Sequence, residues 1–265
     1  KENDNKLPET VIKDPSVNPD IANLIKWPKE TGTIINLSEL DNPDRKSVKR
    51  KGGLNDYLRN ELSRTHRNFL SSGIEIYVGD EILRPYDPLM LTPNGKWYDI
   101  IGPGNIIEDT TLLVEDSQGE EQRVRIKIAM MPVKKIRSNS KWNIKFMKRY
   151  DLTPERQGFS LIRNGREIAS GESMGLFTKH STLNYFKGEI HFPTELDDRF
   201  GIQVNKSRFS ISQILKDKIV TKIKPHLAWI KKETASITKK LRAQESKTST
   251  VRTPSEKVGI ASSRF

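Results

Sequence analysis

The sequence predicts an α+β chain, and three observations carry that prediction. Val124, Ile126, Ile128 and Met130 alternate with Arg123, Arg125 and Lys127, the two-residue period of a strand with one buried face. Asn164-Gly165 stands between two short strand-like runs, Phe159 to Arg163 and Arg166 to Ala169. It is the strongest short hairpin signal, because a type I′ turn needs positive φ at both central positions. Ile214, Leu215, Ile219, Ile223, Leu227, Ile230 and Ile237 recur at helical spacing near the C-terminal end.

Taken in order, residues 1–26 are polar and punctuated by Pro8, Pro15 and Pro19, which predicts a loop. Thr31 to Leu37 turns from small to β-branched residues and predicts a strand. Residues 41–52 form a basic, turn-rich connector. Leu54, Tyr57, Leu58, Leu62 and Phe69 then predict one amphipathic helix stopped by Ser71-Ser72-Gly73. Ile74, Ile76 and Val78 predict a half-buried strand that turns at Gly79-Asp80, and Pro85, Pro88 and Pro93 enforce an extended path beyond it.

Thr110–Val114 and Val124–Met130 predict a hairpin joined by the polar run Glu115–Glu121. Before it, Ile101-Gly102-Pro103-Gly104 offers glycines but no phosphate cradle, since Pro103 lacks an amide hydrogen and the next run is extended. Trp142, Ile144, Phe146 and Met147 sit among cations. That pattern suits either a nucleic-acid surface or, as the preferred reading, a short helix with Trp142 and Phe146 turned inward. Tyr185–Phe192 predicts another strand, ended by Pro193, and Phe200–Val204 extends towards Asn205-Lys206. The last helix is capped by Ser212 and kinked or broken by Pro225; it packs either on its own sheet or against a second copy or partner. Glu245–Phe265 lacks apolar periodicity and predicts a mobile basic tail.

Composition narrows the function classes. Without cysteine there is no disulfide, thiolate metal site or thiol nucleophile, which suits a cytoplasmic location. His66, His180, His191 and His226 are too scattered in sequence for a metal-ligand motif or a Ser-His-Asp grouping. No apolar run reaches membrane-spanning length. The formal charge is +12, of which residues 231–265 contribute about half, so the basicity belongs largely to the C-terminal appendage.

Four segments in one order resemble the transducer region of GHKL-type ATPases, the gyrase, heat-shock chaperone, histidine kinase and MutL group. They are Arg163-Asn164-Gly165-Arg166-Glu167-Ile168, Gly188-Glu189-Ile190-His191-Phe192-Pro193, Leu196-Asp197, and Phe200-Gly201-Ile202 leading to Asn205-Lys206. The resemblance implies a ribosomal-protein-like βαβ module with a mixed sheet over 53–211. A remnant of the ATP-binding domain would precede it over 1–40, with the connector at 41–52, the helix at 212–245 and the loose tail at 246–265. It also implies that Thr33 lies near the adenine and that Lys206 reaches across a domain boundary to the γ-phosphate. Asn205 would shape that loop, and Arg208 would be a second phosphate contact.

The chain has no Glu-x-x-x-Asn, which in the family activates water and holds Mg²⁺, and no Asp-x-Gly-x-Gly for adenine. It is therefore expected to be part of a longer protein and to leave ATP intact by itself, with ATP and Mg²⁺ bound through an N-terminal ATP-binding domain that acts as its partner. Homodimer formation and nucleic-acid binding through the basic tail are further expectations, the latter also the basis of a rival reading as a nucleic-acid module. The other rival is a structural interaction domain without nucleotide coupling.

Overall fold

A computed structural model describes Thr33, Ile35 and residues 53–139, 141–202 and 211–251, with side chains described as far as residue 246. The chain divides into two compact units, 1–46 and 47–265. In the first, Thr33 and Ile35 are exposed and neither lies in a strand.

The second unit is α+β with a mixed five-stranded sheet and a long C-terminal helix. It opens with α1 (Leu54–Thr65) and α2 (Arg67–Ser71), followed by a two-stranded ribbon of β1 (Tyr77–Val78) and β2 (Glu81–Ile82). The short α3 (Tyr98–Ile101) leads to β3 (Asn105–Glu115) and β4 (Glu121–Met130), and α4 (Val133–Arg137) and α5 (Ile144–Arg149) follow. Then come β5 (Gly158–Arg163), β6 (Arg166–Glu172), β7 (Phe186–Phe192) and α6 (Gln213–Val251).

The sheet order is β3-β4-β7-β5-β6, with β5 and β7 parallel and every other neighbouring pair antiparallel. The parallel pair is linked through β6 and a single 3₁₀ turn at Ser181–Leu183, so the crossover contains no α-helix of the βαβ kind.

The two faces of this sheet differ in chemistry. Phe186, Ile190 and Phe192 on β7 join Val124, Ile126 and Ile128 on β4 in the apolar core. The same core takes Leu215, Ile219, Ile223, Leu227 and Ile230 of α6, so the helix packs back on its own sheet. Lys187, Glu189 and His191 alternate with these apolar residues and occupy the other face of β7. There Lys127 is the register partner of Glu189, and Arg125 that of His191.

Several expectations change. The predicted single helix over 54–69 is broken at His66, whose φ of −107° and ψ of 16° fall outside the helical region. Its fully buried residues are Ser63 and Arg67, not the leucines. Ile74 is exposed and precedes the ribbon, because the paired stretch begins only at Tyr77. Phe200-Gly201 is a turn and not an extended run: Phe200 stacks on Phe192 at 3.8 Å and Gly201 has φ of 60°. α6 continues through Pro225 and past 245 into the expected loose tail, as far as Val251. Burial of one apolar stripe on both sides of Pro225 outweighs the roughly 3 kcal/mol that an interior proline costs.

The Gly102-Pro103-Gly104 run serves packing: a Cβ on Gly104 would lie 2.0 Å from the Leu89 carbonyl oxygen. Around Trp142, the helix begins only at Ile144, so Phe146 lies on it and Trp142 precedes it. Phe146 and Tyr150 are buried, and Trp142 packs partly buried against the core with the Arg137 guanidinium 4.3 Å from its ring.

Candidate functional site

The described residues of the four sequence segments meet at one end of the sheet, where Asn164 N donates to Phe192 O, Arg163 pairs with Asp197 and Phe200 stacks on Phe192. The hairpin β5–β6 turns at Asn164 and Gly165, with φ of 46° and 82°, the two positive values that Asn-Gly accommodates. Arg163, the last residue of β5, donates from Nε and Nη2 to the two carboxylate oxygens of Asp197 at 2.7 and 2.6 Å. The paired fork raises the Arg163 pKa and fixes both planes. From the opposite side Arg199 donates to the carbonyl oxygens of Glu115 and Asp116, each at 2.9 Å, at the β3–β4 turn. The 197–199 turn is therefore clamped between two hairpins.

This clamp positions the segment that the sequence singles out. Ile202 N donates to Asp197 O, and Ser212 N donates to Arg199 O, both at 2.9 Å. The described residues that flank 203–210 are thus anchored to the same turn. Asn205, Lys206 and Arg208 themselves lie outside the described residues, and Thr33 belongs to the other unit, exposed.

Beneath the hairpin, Arg67 of α2 is buried between two carboxylates contributed by the resembling segments. Its Nε and Nη2 donate to Glu189 Oε1 at 3.2 and 2.7 Å, and its Nη1 donates to Glu167 Oε2. His191 Nε2 lies 2.8 Å from Glu189 Oε2, and Arg64 Nε is 2.6 Å from Glu167 Oε1. Burial pushes the Glu189 carboxyl up, but the His191 hydrogen bond and the charge of Arg67 outweigh it and hold the pKa at about 2. A row of five charged or titratable groups, His191–Glu189–Arg67–Glu167–Arg64, therefore ties β7 and β6 to the first two helices.

A second buried group lies on the same β7 face. Lys187 Nζ donates to the carbonyl oxygens of Asp151 and Arg156, and burial lowers its pKa to about 8. Asp151, at φ of 56°, accepts from the Tyr86 hydroxyl at 2.6 Å.

Sequence reading missed Arg67 and Arg64, since arginines on a surface-type helix read as solvent-facing. The available signal was their spacing of three together with two glutamates inside the strand segments. Among the described residues no cluster of His, Asp or Glu is placed to hold a metal ion, and no helix is long and apolar enough to cross a membrane. Comparison of the chain with protein-family models, curated proteins and solved structures gives no match.

Proposed function

We propose that this chain is the transducer part of a GHKL-type ATPase. In this reading Lys206 senses the γ-phosphate of ATP held by a separate ATP-binding domain, with Thr33 near the base and Asn205 and Arg208 shaping the phosphate contact. Loss of that phosphate on hydrolysis removes the lysine's partner and releases the domain angle it held.

The observation that supports this is the clamp on the 197–199 turn. A phosphate sensor transmits force only if its base is tied to the rest of the domain. Here the residues flanking 203–210 are held by Arg163, Arg199 and the β3–β4 turn. The long, flexible stem of a lysine suits a contact made across a boundary between domains. ATP and Mg²⁺ belong to the separate domain, and this chain contributes a cation to the terminal phosphate.

The test is Lys206→Ala in the protein that also carries the ATP-binding part, read by steady-state ATP hydrolysis with Mg²⁺. The expected result is a fall of at least tenfold, the scale of one lost charge contact to the transferring phosphoryl group. An unchanged rate would replace this reading with that of a structural domain uncoupled from nucleotide.

A further inference from the structure

A second feature lies away from the clamped turn and has no part in the reading above. α6, α4, the start of α5 and the 3₁₀ turn at Ser181–Leu183 enclose a cleft of ≈ 530 Å³. Its walls carry three cations, Arg137, Lys239 and Arg242, and no carboxylate. None of the three makes a salt bridge among the described residues.

Hydroxyl groups, the Asn184 carboxamide and the Trp142 indole supply the rest of the polar lining, and one of the hydroxyls is left over. Thr234 is 3% exposed, lines this cleft, and its Oγ1 has no hydrogen-bond partner. The indole Nε1 of Trp142, also on the cleft wall, lies by the Tyr185 hydroxyl but completes no hydrogen bond. A buried hydroxyl without a partner costs about 1–3 kcal/mol, so a site that retains one is built for something that supplies the missing bond.

We propose that this cleft binds a small phosphorylated molecule, with its phosphoryl oxygens held by Arg137, Lys239 and Arg242 and reached by the Thr234 hydroxyl. Like charges converge here without a compensating acid, and a multiply charged oxyanion removes their mutual repulsion. Arg137 is pre-positioned by its stacking on Trp142 and presents a planar donor edge, which suits phosphoryl oxygens. The cleft lies within the size range of small-molecule sites, about 300–1,000 Å³, and takes an organic portion beyond the phosphate.

The test uses the full chain and titrates inorganic pyrophosphate by calorimetry at low salt, with citrate as a carboxylate control and a single-stranded oligonucleotide as a polymer control. Saturable 1:1 pyrophosphate binding is expected, weakened about tenfold or more by Lys239→Ala or Arg242→Ala, whose side chains are exposed and leave the fold intact. Thr234→Val is expected to weaken binding about three- to tenfold without lowering the melting temperature, because that hydroxyl has no internal bond to lose.

Absence of saturable pyrophosphate binding would overturn the proposal. So would binding insensitive to all three substitutions, equal affinity for citrate, or oligonucleotide binding through these cations with no affinity for pyrophosphate. Each of these results is independent of the ATPase rate of a Lys206 variant.

Discussion

Arg163 and Asp197, 34 positions apart in sequence, share two parallel hydrogen bonds of 2.7 and 2.6 Å that join the end of β5 to the turn beyond β7. The geometry is specific to a guanidinium, since a lysine ammonium cannot hold both carboxylate oxygens in one plane. Both side chains keep some solvent access, so Arg163→Lys is expected to lower global stability by only about 1 kcal/mol or less. Its effect falls on the turn: hydrogen exchange at the Ile202 and Ser212 amides should quicken more than exchange in β4. Equal change at both places would show that the pair does not hold the turn.

Arg67 presents the opposite case, because burial leaves its partners no water. Arg67→Met strands Glu167 and Glu189 without their shared cation and is expected to cost about 3–5 kcal/mol in urea unfolding. Replacing Arg67, Glu167 and Glu189 together by methionine should cost much less than the single change. A triple variant as unstable as Arg67→Met alone would contradict this account.

The acid limb of stability follows from Glu189. Its folded pKa of about 2 lies below the ordinary 4.5, so the folded form binds the proton less readily than the unfolded form. The stabilisation is fully present above pH 4.5 and is lost as pH falls from 4.5 through 2, a change on the order of 3 kcal/mol. Glu189→Gln should flatten this limb in urea midpoints measured between pH 2 and 5, while lowering stability at pH 7.

Lys187 acts at the alkaline end with the same direction of slope, although there burial disfavours the charged form instead of a partner favouring it. Its folded pKa of about 8 lies below the ordinary 10.5, so the unfolded chain holds more protons between these values and stability rises with pH there. Tyr86, whose hydroxyl is pushed well above 10 by burial and by Asp151, works against this once unfolded tyrosines ionise. The rise should therefore be visible between about pH 8 and 10, and Lys187→Met should abolish it.

Gly188 links a motif residue to packing. A Cβ there would lie 2.4 Å from the ring of Phe159, which is wholly buried. Gly188→Ala is expected to cost about 1–3 kcal/mol, measured by thermal unfolding, as overpacking forces that ring aside.

Local pattern made much of this fold legible. The β3–β4 and β5–β6 hairpins, the turn at Asn164-Gly165 and the apolar stripe of α6 follow from period and turn chemistry alone. What escaped depends on partners distant in sequence. Arg67 has the composition of a surface residue and is buried only because Glu167 and Glu189 meet it from two strands. Ile74 and Ile76 have strand chemistry, but Ile74 N donates back to Phe69 O and Ile76 O takes a single bond from Leu83 N, so the paired ribbon shrinks to Tyr77–Val78. Pro225 predicts a kink or a break on local grounds, and long-range burial overrides the break. Of the candidate site, the clamp between Arg163 and Asp197 joins two segments the sequence singles out, whereas the cleft beside Thr234 left no linear trace.

α6 has 39 residues and starts beside Ser212, whose amide is bonded to the clamped turn. At 1.5 Å per residue it extends about 58 Å. Its buried side chains run from Leu215 to Thr234 and Ile237 still packs against the core, so the helix works as a lever with a long gripped arm and a shorter outer one. A tilt of about 10° where the grip ends would carry the tip, about 21 Å farther on, through roughly 4 Å, so a small displacement at the root reaches the far end as a shift of about one side-chain contact.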